Sequence, residues 1–149
     1  MTKKETAMAL FKQGYNCAQA VLLAFAQELN LDEQTAVKMA APFGGGMGRM
    51  REVCGAFSGL LMAVGLKYAP ADPQDPKAKA EHYALVQKLA EQFKEQNGSI
   101  ICRELLGLTG PQAPTPEPRT AQYYQKRPCA EMVGSAAEIL EALFSATEK

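Results

Sequence analysis

An all-α fold is what this sequence predicts: a compact single-domain bundle of about five to seven helices covering residues 1–149. Three observations lead there. Apolar residues recur at three- and four-residue intervals in one segment after another, as they do along a helix with one buried face. No segment alternates apolar and polar residues as a half-buried strand does. The breaks between segments carry cap residues, glycines and prolines, the residues that start and stop helices.

The first helix is expected in "TKKETAMALFKQ", Thr2 to Gln13, closed by Gly14, which tolerates the left-handed conformation at a helix end. The second is "NCAQAVLLAFAQEL", with Asn16 as its cap and Ala18, Val21, Leu22, Phe25 and Leu29 on one face. "LDEQTAVKMAA" follows, capped by Asp32 and stopped by Pro42. "FGGGMG" is too rich in glycine for a regular element and reads as a loop. "EVCGAFSGLLMAVGLKYA" reads as a helix whose Gly55, Ala56, Ser58 and Gly59 leave it thin on one side, open to close approach by a helix or a ligand. The longest helix is expected after Asp75 as cap and Pro76 as first residue, with Tyr83, Val86, Leu89 or Ala90, and Phe93 on its buried face and Asn97–Gly98 at its end. "SIICRELLG" is a short helix. "LTGPQAPTPEPRTA" holds four prolines and must be a loop, of a length that often covers a site or meets a partner. The last helix starts at "PCAEMVGSAAEILEALFSA".

Composition narrows the function. Sixteen basic residues balance sixteen acidic ones, so no global field draws the chain to nucleic acid or to an anionic membrane. No apolar run reaches membrane-spanning length. The N-terminal "MTKKETAMALFKQGYN" has neither the apolar core nor the cleavage site of a secretion signal, which predicts a cytoplasmic location. Small ligands or a redox partner protein are the expected partners, and the oligomeric state is not encoded in any visible pattern.

The four cysteines, Cys17, Cys54, Cys102 and Cys129, each fall at the beginning of an expected helix. Free backbone N–H groups and the helix dipole stabilise a thiolate there and lower its pKa. Cations stand near three of them: Arg49 and Arg51 before Cys54, Arg103 after Cys102, Lys126 and Arg127 before Cys129. The plain alternative is that four small apolar side chains fill a core. Four similar placements, three beside cations, favour chemistry. No two of the cysteines are close in sequence, so any shared site must be assembled by the fold.

"CGAFSG", "GYNCAQAV", "FGGGMG", the Cys-Arg-Glu-Leu segment at Cys102 and the Cys129 that opens the last helix together resemble the C_GCAxxG_C_C family of redox-active proteins. The resemblance covers nearly the whole chain and gives all four cysteines a counterpart. It implies a redox or metal role, and a similar module in split-Soret cytochromes is associated with an iron–sulfur cluster. Four thiolates from separate helices match the ligand number of a tetrahedral zinc site or of a cysteine-bound iron–sulfur cluster. The same surroundings would activate a dithiol for disulfide exchange. Gly55, Gly59 and Arg51 are expected beside a bound group, the glycines for close approach and the arginine for charge. A non-catalytic metal-binding or helical interaction module with structural cysteines is the alternative reading.

Other signals are weaker. "GGGMG" lacks the Lys-Ser/Thr ending of a phosphate loop and is expected to bring the chain close to Cys54. His82, the only histidine, reads as a surface residue. Asp72, Asp75, Glu81, Glu91 and Glu95 read as a solvated face, and Met39, Met47, Met50 and Met62 as filler. "NGS" at Asn97 matches a glycosylation pattern that a cytoplasmic protein would not use.

Overall fold

The computed structural model describes residues 1–147. Among the described residues there is no strand, and the all-α expectation holds. The right-handed α-helices are α1 (Lys3–Lys12), α2 (Cys17–Ala24), α3 (Glu33–Ala40), α4 (Gly55–Tyr68), α5 (Pro76–Asn97), α6 (Cys102–Leu106), α7 (Ala121–Lys126) and α8 (Cys129–Thr147). That is one more than the upper end of the expected range; the addition is α7, a short helix of weak pattern that follows directly on the proline segment.

Local chemistry sets most of the ends. Thr2 and Asn16 cap α1 and α2 with reciprocal side-chain bonds, to Glu5 and Gln19 respectively. Asp32 and Asp75 cap α3 and α5, and Pro76 opens α5 as its sequence requires. α2 stops five residues short of the expected Leu29. Lys3 Nζ donates to the Ala24 carbonyl at 3.0 Å, and the chain then runs through turns to Asn30, whose φ of +52° reverses it. Asparagine tolerates that conformation better than most residues.

α8 is the central helix and lies against α1, α2, α4 and α5; α2 packs across α4. Val21, Leu22, Phe25, Leu60, Val64, Val133 and Leu140 form the dry interior. α5 joins it through Leu89 and Phe93, with Leu85 packed against its edge, while Tyr83, expected on its buried face, is exposed.

Two corrections concern the segments around the cysteines. The expected helices from Glu52 and from Ser99 begin three residues late. Residues 52–54 and 99–101 stand outside the helices instead and meet antiparallel at a single bridge between Val53 and Ile101. The glycine segment is not an irregular loop either. After a 3-10 turn at Ala41–Phe43, the residues Gly45, Gly46, Met47, Gly48 and Arg49 all have φ between 61° and 68°, and Arg51 has 61°. The chain makes a left-handed turn, closed by a bond from the Gly48 N–H to the Gly44 carbonyl at 2.9 Å.

Candidate functional site

All four cysteine side chains line one cavity of about 60 Å³. Each reaches it from the start of a helix, as expected: Cys17, Cys102 and Cys129 are first residues of α2, α6 and α8, and Cys54 is the cap of α4. The antiparallel pair aims two of them. The Cys54 N–H donates to the Ile100 carbonyl at 2.7 Å and the Cys102 N–H to the Glu52 carbonyl at 2.6 Å. Cys54 and Cys102 therefore share the face opposite Val53 and Ile101, and both sulfurs project to one side. No cysteine is in a disulfide.

Glycine supplies the close approach, though not wholly where expected. A Cβ on Gly55 would run into the Cys17 sulfur and come within 2.8 Å of the Phe43 carbonyl. A Cβ on Gly46 would come within 2.6 Å of the Cys102 Cβ, and one on Gly44 within 2.5 Å of the Asn16 side chain. The left-handed turn thus closes on Cys102 and on the cap of α2, not on Cys54 as its position in the sequence suggests. Gly59 lies away from the cavity, where a Cβ would stand 2.6 Å from the Ala18 carbonyl; it lets α4 and α2 touch.

The cations are also redistributed. Arg51 is 4% exposed. Its Nη1 donates to the Cys102 sulfur at 3.5 Å, and its Nε and Nη2 donate to the Gln112 side-chain oxygen at 3.0 and 2.6 Å. Arg103 turns outward to Glu52 at 3.2 Å, and Arg127 pairs with Glu117 at 2.5 Å. Arg49 reaches the proline segment, donating to the Ala113 carbonyl at 2.7 Å. Sequence reasoning missed Gln112, Arg119 and Tyr123, the last two on the cavity wall. Arg119 stacks on Phe11, 4.5 Å from the ring centre, and donates to the Phe11 and Tyr15 carbonyls. Gln112 and Arg119 lie in the proline segment, which has no repeat to mark them, and Tyr123 lies in the short α7, whose pattern is weak.

The pKa values of Cys17, Cys54 and Cys129 move opposite to the expectation. Burial pushes Cys17 up, Cys54 well up and Cys129 up to about 12, and mutual repulsion among the sulfurs adds to the rise. The Gly45 N–H acts the other way on Cys17, and the Ala56 and Phe57 N–H groups on Cys54. The helix-end effect is present and desolvation outweighs it.

The donor set is all sulfur: no histidine, aspartate or glutamate lines the cavity. Such a set suits zinc or iron–sulfur groups. Bonds of about 2.3 Å to one tetrahedral ion would hold the sulfurs about 3.8 Å apart. Among the described residues no three ligand side chains stand close enough for one ion.

A family model described as "Putative redox-active protein (C_GCAxxG_C_C)" matches residues 15–143, a span that holds all four cysteines and the left-handed turn. No curated protein and no solved structure matches the chain.

Proposed function

The chain belongs to the C_GCAxxG_C_C family, and from that membership we propose that it is an electron-transfer protein whose Cys17, Cys54, Cys102 and Cys129 hold an iron–sulfur cluster. The observation that carries this reading is the convergence of four thiols on one small cavity beside a buried arginine with no carboxylate partner among the described residues. When bound, the group supplies reversible electron transfer at a potential set by charge, hydrogen bonds and exposure.

The chain's own residues do the rest. Arg51 places a positive charge against the Cys102 sulfur and offsets the negative charge of four thiolates. The Gly45, Ala56 and Phe57 N–H groups favour charged sulfur at Cys17 and Cys54. Leu105, Leu106 and Met132 complete the apolar part of the wall.

Anaerobic purification followed by iron, sulfide and zinc analysis and a visible absorption spectrum tests this. Iron and acid-labile sulfide in fixed ratio to protein are expected, with colour that bleaches on reduction and is lost when any one of the cysteines becomes serine. Metal-free protein that instead forms and breaks disulfides reversibly would replace this reading with thiol exchange, and zinc alone would leave a structural site.

A further inference from the structure

A groove of about 340 Å³ adjoins the cysteine cavity. Asn16, Gly45, Arg51, Arg119 and Tyr123 line both, so the two spaces share a wall. We propose that this groove binds a small organic anion by its phosphate or carboxylate group, held by Arg49 and Arg119 next to the cysteine site, with the buried Arg51 adding positive charge behind them.

Size separates the two spaces. Ligand pockets usually measure about 300–1,000 Å³. The groove falls in that range and the cavity does not, so on the electron-transfer reading proposed above the groove has room for a molecule that exchanges electrons with the buried site.

Charge says what kind of molecule. The chain as a whole is neutral, with 16 basic and 16 acidic residues, yet three arginines and one glutamate line this groove. That glutamate, Glu117, is engaged by Arg127 at 2.5 Å and stands 3.9 Å from Arg49. Arg127 therefore offsets most of its charge. Arg51 and Arg119 have no carboxylate partner among the described residues; their acceptors are Gln112, a sulfur, two carbonyls and the Tyr124 hydroxyl. A guanidinium carries five N–H donors. Arg119 uses Nη1 and Nη2 on its partners, which leaves its Nε–H for a ligand. Arg49 likewise bonds through Nε and Nη2 and keeps Nη1. Guanidinium groups with donors left over bind phosphate and carboxylate in fixed geometry, and at Arg49 the one competing carboxylate is Glu117.

Calorimetric titration of the purified protein at low ionic strength, with inorganic phosphate in one arm and succinate in the other, tests the proposal. Saturable binding at one site is expected for at least one anion, and the arm that binds identifies the group. Arg49→Gln should weaken binding about tenfold, the loss of one charge-assisted contact. Glu117→Gln should tighten it about threefold by removing the competing carboxylate. A merely structural role would not give opposite signs. Binding of neither anion, binding unchanged by Arg49→Gln, or weaker binding in Glu117→Gln would overturn the proposal. Melting curves monitor folding, and Arg119→Lys, which keeps the charge and loses the fork, serves if Arg49→Gln fails to fold. Iron content enters none of these readouts, so failure here and failure of the cluster reading are separate results.

Discussion

Arg51 is a buried cation whose hydrogen bonds end on Gln112 and on the Cys102 sulfur. A charge so placed costs folding free energy unless negative charge gathers beside it. Arg51→Met removes the charge and keeps the bulk, so the metal-free protein should melt at an equal or higher temperature. The loaded protein should at the same time show a more negative reduction potential, because a nearby positive charge favours the reduced state. Voltammetry beside a thermal melt reads both, and an unchanged potential would show that Arg51 serves packing alone. The thiols test the balance between burial and helix ends. In the reduced, metal-free protein, alkylation of Cys17, Cys54 and Cys129 by iodoacetamide should be slow at neutral pH and should accelerate only above the range of an ordinary thiol, near pH ~8.5. Cys129, pushed up to about 12, should be among the late ones. The sign is that of an acid held protonated by the fold: raising pH through the unfolded value begins to cost stability, and the loss continues up to the folded value. Fast labelling of those three at pH 7 would mean that the helix ends win after all.

At the scale of elements, glycine acts in two ways that one substitution series separates. Gly55 and Gly59 meet neighbouring atoms at once, and Gly65, on the same helix, meets nothing within 4 Å. Gly55→Ala and Gly59→Ala should each cost on the order of 1–3 kcal/mol by overpacking, whereas Gly65→Ala should gain roughly 0.5–1 kcal/mol from helix propensity. Denaturant titration of the three variants reads this, and a uniform gain would mean that α4 is not closely packed on α2. The left-handed turn is the second case. Met47, Arg49 and Arg51 adopt positive φ without being glycine, at about 1–2 kcal/mol per residue. Met47 is 37% exposed, so Met47→Gly should lose little packing and raise the melting temperature. The helices, their caps and the grouping of the cysteines at helix starts were legible in the sequence because they rest on local rules of spacing and capping. The turn was not, since a glycine run signals freedom and does not say which left-handed path a packed Asn16 and Cys102 will select. The bridged pair at Val53 and Ile101 escaped for a related reason: three residues on each side carry no period. The pairing of Arg51 with Cys102, and not with its sequence neighbour Cys54, follows from that pair and could only be read from the fold.

Across the whole molecule, the cavity is where four helix starts and the proline segment meet. α2, α4 and α8 belong to the packed bundle, while α6 is five residues long and buries little besides Cys102. The proline segment is held through polar contacts of Arg49, Arg51, Arg119 and Arg127, without buried apolar side chains of its own. A group bound to all four sulfurs would tie the weakly packed α6 to the bundle and close a chain loop of many residues, whose closure entropy is then removed from the folding balance. Binding that occurs only in the folded state also stabilises by mass action. Stripping the group with a chelator under anaerobic conditions should therefore lower the melting temperature, and the change should be uneven. Hydrogen exchange should speed most in Cys102–Leu106 and in residues 108–120, while the α1, α2 and α8 amides around Phe11, Val21 and Val133 stay protected, because Ala7, Phe25, Leu60 and Leu140 pack without help from the cavity. Equal acceleration everywhere would mean that the cavity is part of the folding core and not a site added to a finished bundle. Unchanged exchange in Cys102–Leu106 would mean that Cys102 is not among the ligands.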